Sequence, residues 1–116
     1  MDVAFLLDRE LSFTDTICNF CHQSAEKAFK AFLIKQGVFD FPHTHDLEAL
    51  LAQCKEFSKD FGVWLEEIGR LNKYYIETKY PPDIPRNYSR KEAKRAIESA
   101  TKILEFVERI IKNDIS

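Results

Sequence analysis

Residues that interrupt helices are scarce in this chain, and most of them fall in one place. The sequence has three glycines and four prolines, and three of the prolines are Pro81, Pro82 and Pro85. This distribution favours long helices joined by one substantial loop. Because 45% of residues are hydrophobic and 13% are aromatic, the chain has enough apolar surface for a core and is not expected to be disordered.

Apolar residues recur at intervals of three and four along the first third of the chain, which predicts two helices. A short helix is expected at 2–11, and Ser12 or Thr14, with Asp15, is expected to cap a longer helix. The longer helix should stop at Gly37, because glycine readily adopts the left-handed conformation that ends a helix. Its apolar stripe consists of Ile17, Cys21, Ala25, Ala28, Phe32 and Leu33.

The middle of the chain predicts two further helices after a connector at 38–44. Thr44 is expected to cap the third helix, with Asp46 and Glu48 in its first turn. Ser58 or Asp60 is expected to cap the fourth. The predicted stripes are Leu47, Leu50, Leu51, Cys54 and Phe57 in the third helix and Phe61, Trp64, Ile68, Leu71 and Tyr75 in the fourth. Since two adjacent tyrosines cannot both face one core, Tyr74 is predicted to lie beside it.

The last segment predicts a long helix after a loop at 80–88. Ser89 and Glu92 have the spacing of a capping box. The apolar stripe that follows is Ala93, Ile97, Ala100, Leu104, Val107 and Ile111. Five helical segments with short links predict an all-α, antiparallel up-and-down bundle of four to five helices, in one domain spanning 1–116.

Charge and cysteine content limit the classes of protein to consider. The formal net charge is −2, which argues against broad binding to a phosphate backbone. We expect neither a signal peptide nor a membrane span, because no basic region precedes an apolar run and no apolar run approaches about 18 residues. Cys18, Cys21 and Cys54 are an odd number and lie on apolar stripes, so we expect reduced thiols and a cytoplasmic protein.

Two motifs offer metal or cofactor chemistry, and for both a structural role is the preferred interpretation. The segment Cys18 to His22 matches the C-x-x-C-H pattern of haem attachment, or with Cys54 a zinc site. Both cysteines suit burial in an amphipathic helix, so structural thiols are favoured. His43, His45 and Asp46 flank a helix start, where a metal or a phosphate could bind. We expect no metal and no cofactor.

Two polar surfaces are candidates for binding a ligand or a partner. One is the charged face of the second helix, with Glu26, Lys27 and Lys30. The other is the segment 72–82, where aromatic residues stand beside cations and could stack a base and hold a phosphate. Loop packing and a protein-binding hot spot remain open for the same residues. The second surface includes Asn72, Lys73, Tyr74, Lys79, Tyr80, Arg86, Tyr88 and Arg90.

With these residues in place, the chain resembles the HEPN domain family (higher eukaryotes and prokaryotes nucleotide-binding). The resemblance covers most of the chain and rests on the stretches FCHQSAEKAFKAFL (20–33), THDLEALL (44–51) and LNKYYIETKYP (71–81). It implies a helical bundle that commonly pairs as a homodimer. Many members accompany a minimal nucleotidyltransferase in toxin–antitoxin modules. Others are metal-independent ribonucleases that use an arginine followed four to six residues later by a histidine, from both subunits.

The sequence departs from that ribonuclease pattern. Arg70 is followed by LNKYYIE, so no histidine stands where the motif would place one. We therefore predict a non-catalytic subunit that binds a nucleotide or RNA, or docks a nucleotidyltransferase. The predicted binding residues are Glu26, Lys27, Lys30, Asn72, Tyr74, Lys79, Tyr80 and Arg86. Two alternatives remain: a degenerate ribonuclease using Arg70, Asn72 and Tyr75, and a structural homodimeric adaptor.

Overall fold

The computed structural model describes residues 3–41, 46–78 and 88–115 and shows a bundle of helices. The elements are α1 (Val3–Lys35), α2 (Leu47–Phe57), a 3₁₀ helix (Lys59–Trp64), α3 (Leu65–Thr78) and α4 (Arg90–Ile115). No strand occurs among these residues, so the all-α bundle is confirmed. None of the described helices is long and apolar enough to cross a membrane.

The first helix is longer than the sequence predicts. α1 runs without interruption from Val3 to Lys35, so the separate helix at 2–11 and the cap at Ser12 or Thr14 were wrong. The polar side chains at this point bind the start of α4 instead. Thr14 Oγ1 donates to the carbonyl of Tyr88 at 2.7 Å, and Asp15 Oδ1 accepts the amide of Tyr88 at 3.1 Å. Capping residues that find a distant partner need not end a helix.

The C-terminal end of α1 is determined by residues next to it in the sequence. Gly37 has a φ of 88°, the left-handed conformation that glycine adopts without a steric cost. The amide of Gly37 donates to Ile34 O and that of Val38 to Leu33 O, both at 2.9 Å. These two bonds form a Schellman motif and satisfy carbonyls that the helix end leaves unpaired. The predicted stop at Gly37 is confirmed.

The core is built around aromatic rings contributed by α1, α4 and the 3₁₀ helix. Phe61 is fully buried, and its ring centroid lies 4.6 Å from that of Phe32, 5.1 Å from that of Phe106 and 6.1 Å from that of Phe29. Trp64 packs on Phe106 at 5.4 Å. Burying each aromatic ring contributes about 1.5–3 kcal/mol, which makes this cluster a main source of stability.

Helix directions follow from contacts between distant residues. Thr14 meets Tyr88 and Lys35 Nζ bonds to the carbonyl of Ile111 at 3.0 Å, so α1 and α4 run in the same direction. Trp64, just before α3, contacts Phe106 of α4, whereas the later residue Arg70 contacts the earlier residue Ser99. The contacts therefore run in opposite directions along the two helices, and α3 is antiparallel to α4.

The connector between α1 and α2 turns back along α1, because Phe41 lies beside Lys30, with 5.5 Å between the Lys30 ammonium and the Phe41 ring centroid.

Several predicted core positions differ from those observed. Phe57, Ile97 and Leu104 are exposed, whereas Ala96 and Ile103 are buried. Phe57 is the last residue of α2, and its ring contacts Phe32 at 6.4 Å while staying 46% exposed. The buried face of α4 consists of Ala93, Ala96, Ala100, Ile103 and Val107.

The prediction for Tyr74 was wrong: Tyr74, expected to lie beside the core, is fully buried. The side chain of Tyr75 lies outside the described residues.

Candidate functional site

The cysteine-rich motif lies in the interior of the bundle. Cys18, Cys21 and His22 are all buried, and the thiols of Cys18, Cys21 and Cys54 are free. Burial raises the pKa of the Cys21 thiol and raises that of Cys54 to about 12. Metal and haem chemistry uses thiolates, which this environment disfavours. No cluster of three potential metal ligands occurs in the described part of the chain.

The predicted anion or metal site at 43–46 is described only at Asp46. Asp46, not Thr44, is the observed cap of α2, because its Oδ1 accepts the amide of Glu48 at 2.9 Å. The same oxygen accepts Asn72 Nδ2 at 2.7 Å. A carboxylate held over the first turn of α2 repels an anion at this helix end. His43, Thr44 and His45 lie outside the described residues.

The three residues of the predicted charged face do not share one environment. Glu26 is buried, so its prediction as a solvent-facing residue was wrong. Lys27 is exposed, and Lys30 is half-buried beside Phe41. Glu26 lies next to the buried Ala25 on the edge of the core face, whereas Lys27 is turned about 100° further round α1.

The segment that begins at Asn72 contributes to packing in its described part. Asn72 Oδ1 accepts the amide of Leu47 at 2.9 Å, so its side chain serves the start of α2. The Tyr74 ring packs edge-on against Tyr88 at 4.9 Å, and its hydroxyl donates to Glu92 Oε1 at 3.4 Å. A buried ring offers no face to a base, so stacking on Tyr74 is excluded by its position. Lys79, Tyr80 and Arg86 lie outside the described residues.

A basic cleft opens between α3 and the first two turns of α4. Its volume is about 330 Å³. Four cationic side chains line it, Arg70 and Lys73 from α3 and Lys91 and Arg95 from α4, together with Ser89 and Glu92. The antiparallel pairing of the two helices brings these cations together. Arg70 and Lys73 are three residues apart on one face of α3, and they face Lys91 and Arg95, which are four residues apart on α4. In a chain of net charge −2, this is a concentrated positive site.

Local contacts hold the walls of this cleft in place. Ser89 Oγ accepts the amide of Glu92 at 3.0 Å, which confirms the predicted capping residue of α4. Lys73 Nζ lies 3.3 Å from Glu92 Oε1, and Arg70 Nη1 donates to Ser99 Oγ at 3.4 Å. Glu92 is the one carboxylate among the lining residues of the described cleft, and it is engaged by Lys73 and Tyr74.

The cleft has the chemistry of an anion site. Two guanidinium groups present flat arrays of donors that match phosphate oxygens, and two ammonium groups add point charges. The N-terminus of α4 opens into the same space and adds the positive end of its dipole. A second cleft, of about 270 Å³ beside Phe32, Phe57 and Asp60, has no cation among its described lining residues.

Sequence reasoning found Arg70 and Lys73 near a site but missed Lys91 and Arg95. The sequence does contain one indication of an anion site there, namely the spacing of Lys91 and Arg95. Like charges four residues apart on a helix repel each other by a few tenths of a kcal/mol. Such a pair is tolerated more readily where an anion neutralises it. The signal becomes specific only when the antiparallel partner helix is known.

Fold and site together define a small all-α bundle with a basic cleft between two antiparallel helices. The HEPN domain family model matches residues 5–110, and the chain belongs to this family. The resemblance drawn from the sequence is therefore confirmed. No curated protein and no solved structure matched the chain.

Proposed function

We propose that this HEPN domain is a non-catalytic subunit that binds a phosphate group of a nucleotide or of RNA in the basic cleft. The observation that carries the proposal is the convergence of Arg70, Lys73, Lys91 and Arg95 on one space of about 330 Å³ at the N-terminus of α4. The sequence predicts that the ligand binds at Tyr74, whereas the proposed site is the cleft between α3 and α4. Lys79, Tyr80 and Arg86 remain predicted contacts and lie outside the described residues.

The absence of a proton-transfer group in the sequence after Arg70 supports binding rather than catalysis. RNA cleavage without a metal needs an acid and a base that exchange protons near neutral pH, and histidine does this best. Positions 74–77 are Tyr, Tyr, Ile and Glu. Tyr74 is a poor substitute, since burial and the charge of Glu92 raise its pKa above the ordinary tyrosine value.

The experiment is a calorimetric titration of the purified chain with a nucleoside 5′-monophosphate and with a short single-stranded RNA. The double variant Arg70→Gln/Arg95→Gln removes two charges from the cleft, and Lys102→Gln/Arg109→Gln removes two from α4 elsewhere. We expect the first variant to weaken binding at least tenfold and the second to leave it within about twofold. Equal weakening by both would show only a general charge effect and would refute the proposal.

The ribonuclease alternative also uses the cleft, because Arg70 lies in it. Incubating RNA with the wild type and with Arg70→Ala in a metal chelator separates the two functions. We expect intact RNA in both reactions. Cleavage by the wild type that Arg70→Ala abolishes would establish the degenerate ribonuclease and overturn the non-catalytic assignment.

Two protein partners belong to the same proposal: a second copy of the chain, and a minimal nucleotidyltransferase in a toxin–antitoxin-like module. The exposed aromatic side chain of Phe39 supports a protein partner at the connector after α1, because aromatic residues are enriched at protein interfaces. Affinity capture from the native cell extract, with mass spectrometry of proteins and nucleotides, tests this part. We expect a nucleotidyltransferase that Phe39→Ser/Lys27→Ala fails to capture. Recovery of the chain alone would argue for the structural adaptor.

A further inference from the structure

The second cleft of the described structure lies at the opposite end of the bundle from the basic cleft. Its volume is about 270 Å³, and it is lined by Ile110 of α4, whereas Lys91 of α4 lines the basic cleft. At a rise of about 1.5 Å per residue, these two positions lie about 28 Å apart along α4. The two clefts are therefore separate, and the proposed function does not use the second one.

Three helices end at the second cleft. α1 and α4 run in the same direction, and Cys54 of α2 contacts Phe29 of α1. Further along both helices Phe57 contacts Phe32, so α2 runs parallel to α1. The carboxyl ends of α1, α2 and α4 therefore meet at this end of the bundle. Each of them contributes a lining residue: Gln36 just after α1, Phe57 in α2 and Asn113 in α4.

The charges and dipoles around this cleft are predominantly negative. The carboxyl end of a helix carries the negative end of its dipole, about half an elementary charge. Asp60 adds a full negative charge, and no cation occurs among the lining residues of the described cleft. α3 also begins at this end, but Glu66 and Glu67 in its first turn offset the positive end of that helix. The cleft therefore attracts a cation.

Two lysines near this end of the bundle already have partners, whereas Asp60 does not. Lys35 Nζ donates to the carbonyl of Ile111 at 3.0 Å, and Lys112 Nζ lies 2.9 Å from a carboxylate oxygen of Glu108. The carboxylate of Asp60 makes no hydrogen bond or ion pair with any other residue that the structure describes. Asp60 is also exposed, so a ligand in the cleft can reach it.

The remaining walls suit a cation that carries an aliphatic chain. Phe57 is an exposed aromatic residue, and an ammonium group is attracted to the face of such a ring. Ser58 precedes the 3₁₀ helix, but its side chain makes no capping hydrogen bond there, so its hydroxyl can accept one from a ligand. Ile110 is half-buried and offers an apolar surface for the chain of the ligand.

We propose that the second cleft binds an alkylammonium group of a small polyamine. The ammonium pairs with Asp60 beside the Phe57 ring, and the methylene chain packs on Ile110. A volume of about 270 Å³ corresponds to roughly nine groups of water size, so a linear diamine or triamine fits. A metal ion suits the cleft less well, because no cluster of three metal-ligating side chains occurs in the described part of the chain.

The first test is a calorimetric titration of the full chain with 1,5-diaminopentane, with the neutral pentane-1,5-diol as the matched ligand. We expect saturable binding of the diamine alone. Asp60→Asn keeps the shape of the side chain and removes its charge, so it should weaken binding about fivefold. Phe57→Leu keeps an apolar side chain without the ring and should weaken binding about threefold.

Glu98→Gln is the control variant, because Glu98 is an exposed carboxylate of α4 outside both clefts. It should bind the diamine as the wild type does. Equal weakening by Asp60→Asn and Glu98→Gln would show only attraction to an acidic chain and would overturn the proposal. Saturable binding of the diol, or no saturable binding of the diamine at millimolar concentration, would overturn it as well.

The second test locates the ligand and identifies its source. In ¹⁵N-labelled protein, the diamine should shift the amides of Ser58, Asp60 and Asn113 and leave those of Ser89 and Lys91 unchanged. Loss of nucleotide binding and loss of diamine binding are therefore separate results. Nα-acetyl-lysine methylamide carries the same ammonium group on a protein-like backbone. We expect it to bind more weakly than the diamine, and tighter binding would assign the cleft to a lysine of a protein instead.

Discussion

Asn72 joins α3 to the first turn of α2: its Nδ2 donates to Asp46 Oδ1 at 2.7 Å while its Oδ1 accepts the Leu47 amide at 2.9 Å. Asp46 in turn accepts the amide of Glu48, so two side chains together satisfy two amide donors that a helix start leaves unpaired. Asn72, which the sequence predicts as a ligand-binding residue, therefore connects α3 to the start of α2.

We predict that Asn72→Ala lowers the free energy of unfolding by about 2 kcal/mol, because a cap and a side-chain hydrogen bond are lost together. Urea denaturation measures this change. Gln23→Ala is the control, since Gln23 is exposed and its 3.4 Å bond to Asn19 contributes little. Nucleotide affinity should be the same in Asn72→Ala and the wild type. A stable variant that no longer binds nucleotide would show that Asn72 contacts the ligand.

Glu92 is the carboxylate in the basic cleft, and its removal should improve anion binding. Glu92→Gln keeps an oxygen for Tyr74 and Lys73 but removes one negative charge. A unit charge about 6 Å from a phosphate in water changes its binding free energy by about 0.7 kcal/mol, so affinity should rise about threefold. Calorimetry at low salt measures the gain, which should shrink at high salt. Weaker binding by Glu92→Gln would mean that the carboxylate itself holds the ligand.

Tyr74 gives the fold a sensitivity to alkaline pH. Burial, and then the charge of Glu92, raise the pKa of Tyr74 above its reference value of 10.0. The folded state therefore keeps the phenol proton longer than the unfolded state. Tyr74 has no pH effect on stability below about pH 10, and above it the free energy of unfolding falls with rising pH.

Tyr74→Phe should cost about 1 kcal/mol at neutral pH through the lost hydrogen bond to Glu92. The substitution should also remove the fall in the free energy of unfolding that Tyr74 causes at alkaline pH. Because only the wild type loses stability in this way, the two stabilities should converge between about pH 10 and pH 11.5. Denaturation curves collected across that range for both proteins provide the measurement. Parallel curves with a constant offset would show that Tyr74 ionises equally easily in both states.

The three cysteine thiols should be unreactive in the folded protein. Cys18, Cys21 and Cys54 are buried, and burial raises the pKa of Cys54 to about 12, so little thiolate forms at pH 8. We expect an aromatic disulfide reagent to label none of them rapidly in native protein and all three after denaturation. Rapid labelling of one thiol in the native state would show that it is accessible and would reopen the metal-site interpretation.

Features set by local chemistry were predictable from the sequence. Gly37 stops α1 and Ser89 caps α4, because the glycine conformation and the capping hydroxyl act within a few residues. The leucine stripe of α2 was likewise correct, since i,i+3 and i,i+4 spacing places Leu47, Leu50 and Leu51 on one face. HEPN membership itself followed from three ordered stretches of sequence.

Features set by distant residues were not predictable in the same way. Tyr74 is buried against Tyr88, a contact that the i,i+3 and i,i+4 pattern of its own helix does not display. Thr14 was predicted to cap a helix because threonine is a common capping residue. Its actual partner, the Tyr88 carbonyl, is 74 residues away in the sequence. The basic cleft needs α3 and α4 to be antiparallel, a relationship that no stretch of sequence displays by itself.

The most direct test of the proposed function is a map of amide chemical-shift changes while ¹⁵N-labelled protein is titrated with a nucleoside 5′-monophosphate. We predict saturable shifts centred on the amides of Ser89, Lys91 and Glu92, with further changes at Arg70 and Lys73 on α3. Shifts centred on Lys27 and Lys30, or no saturable shifts at millimolar ligand, would contradict the assignment of the α3–α4 cleft as the phosphate site.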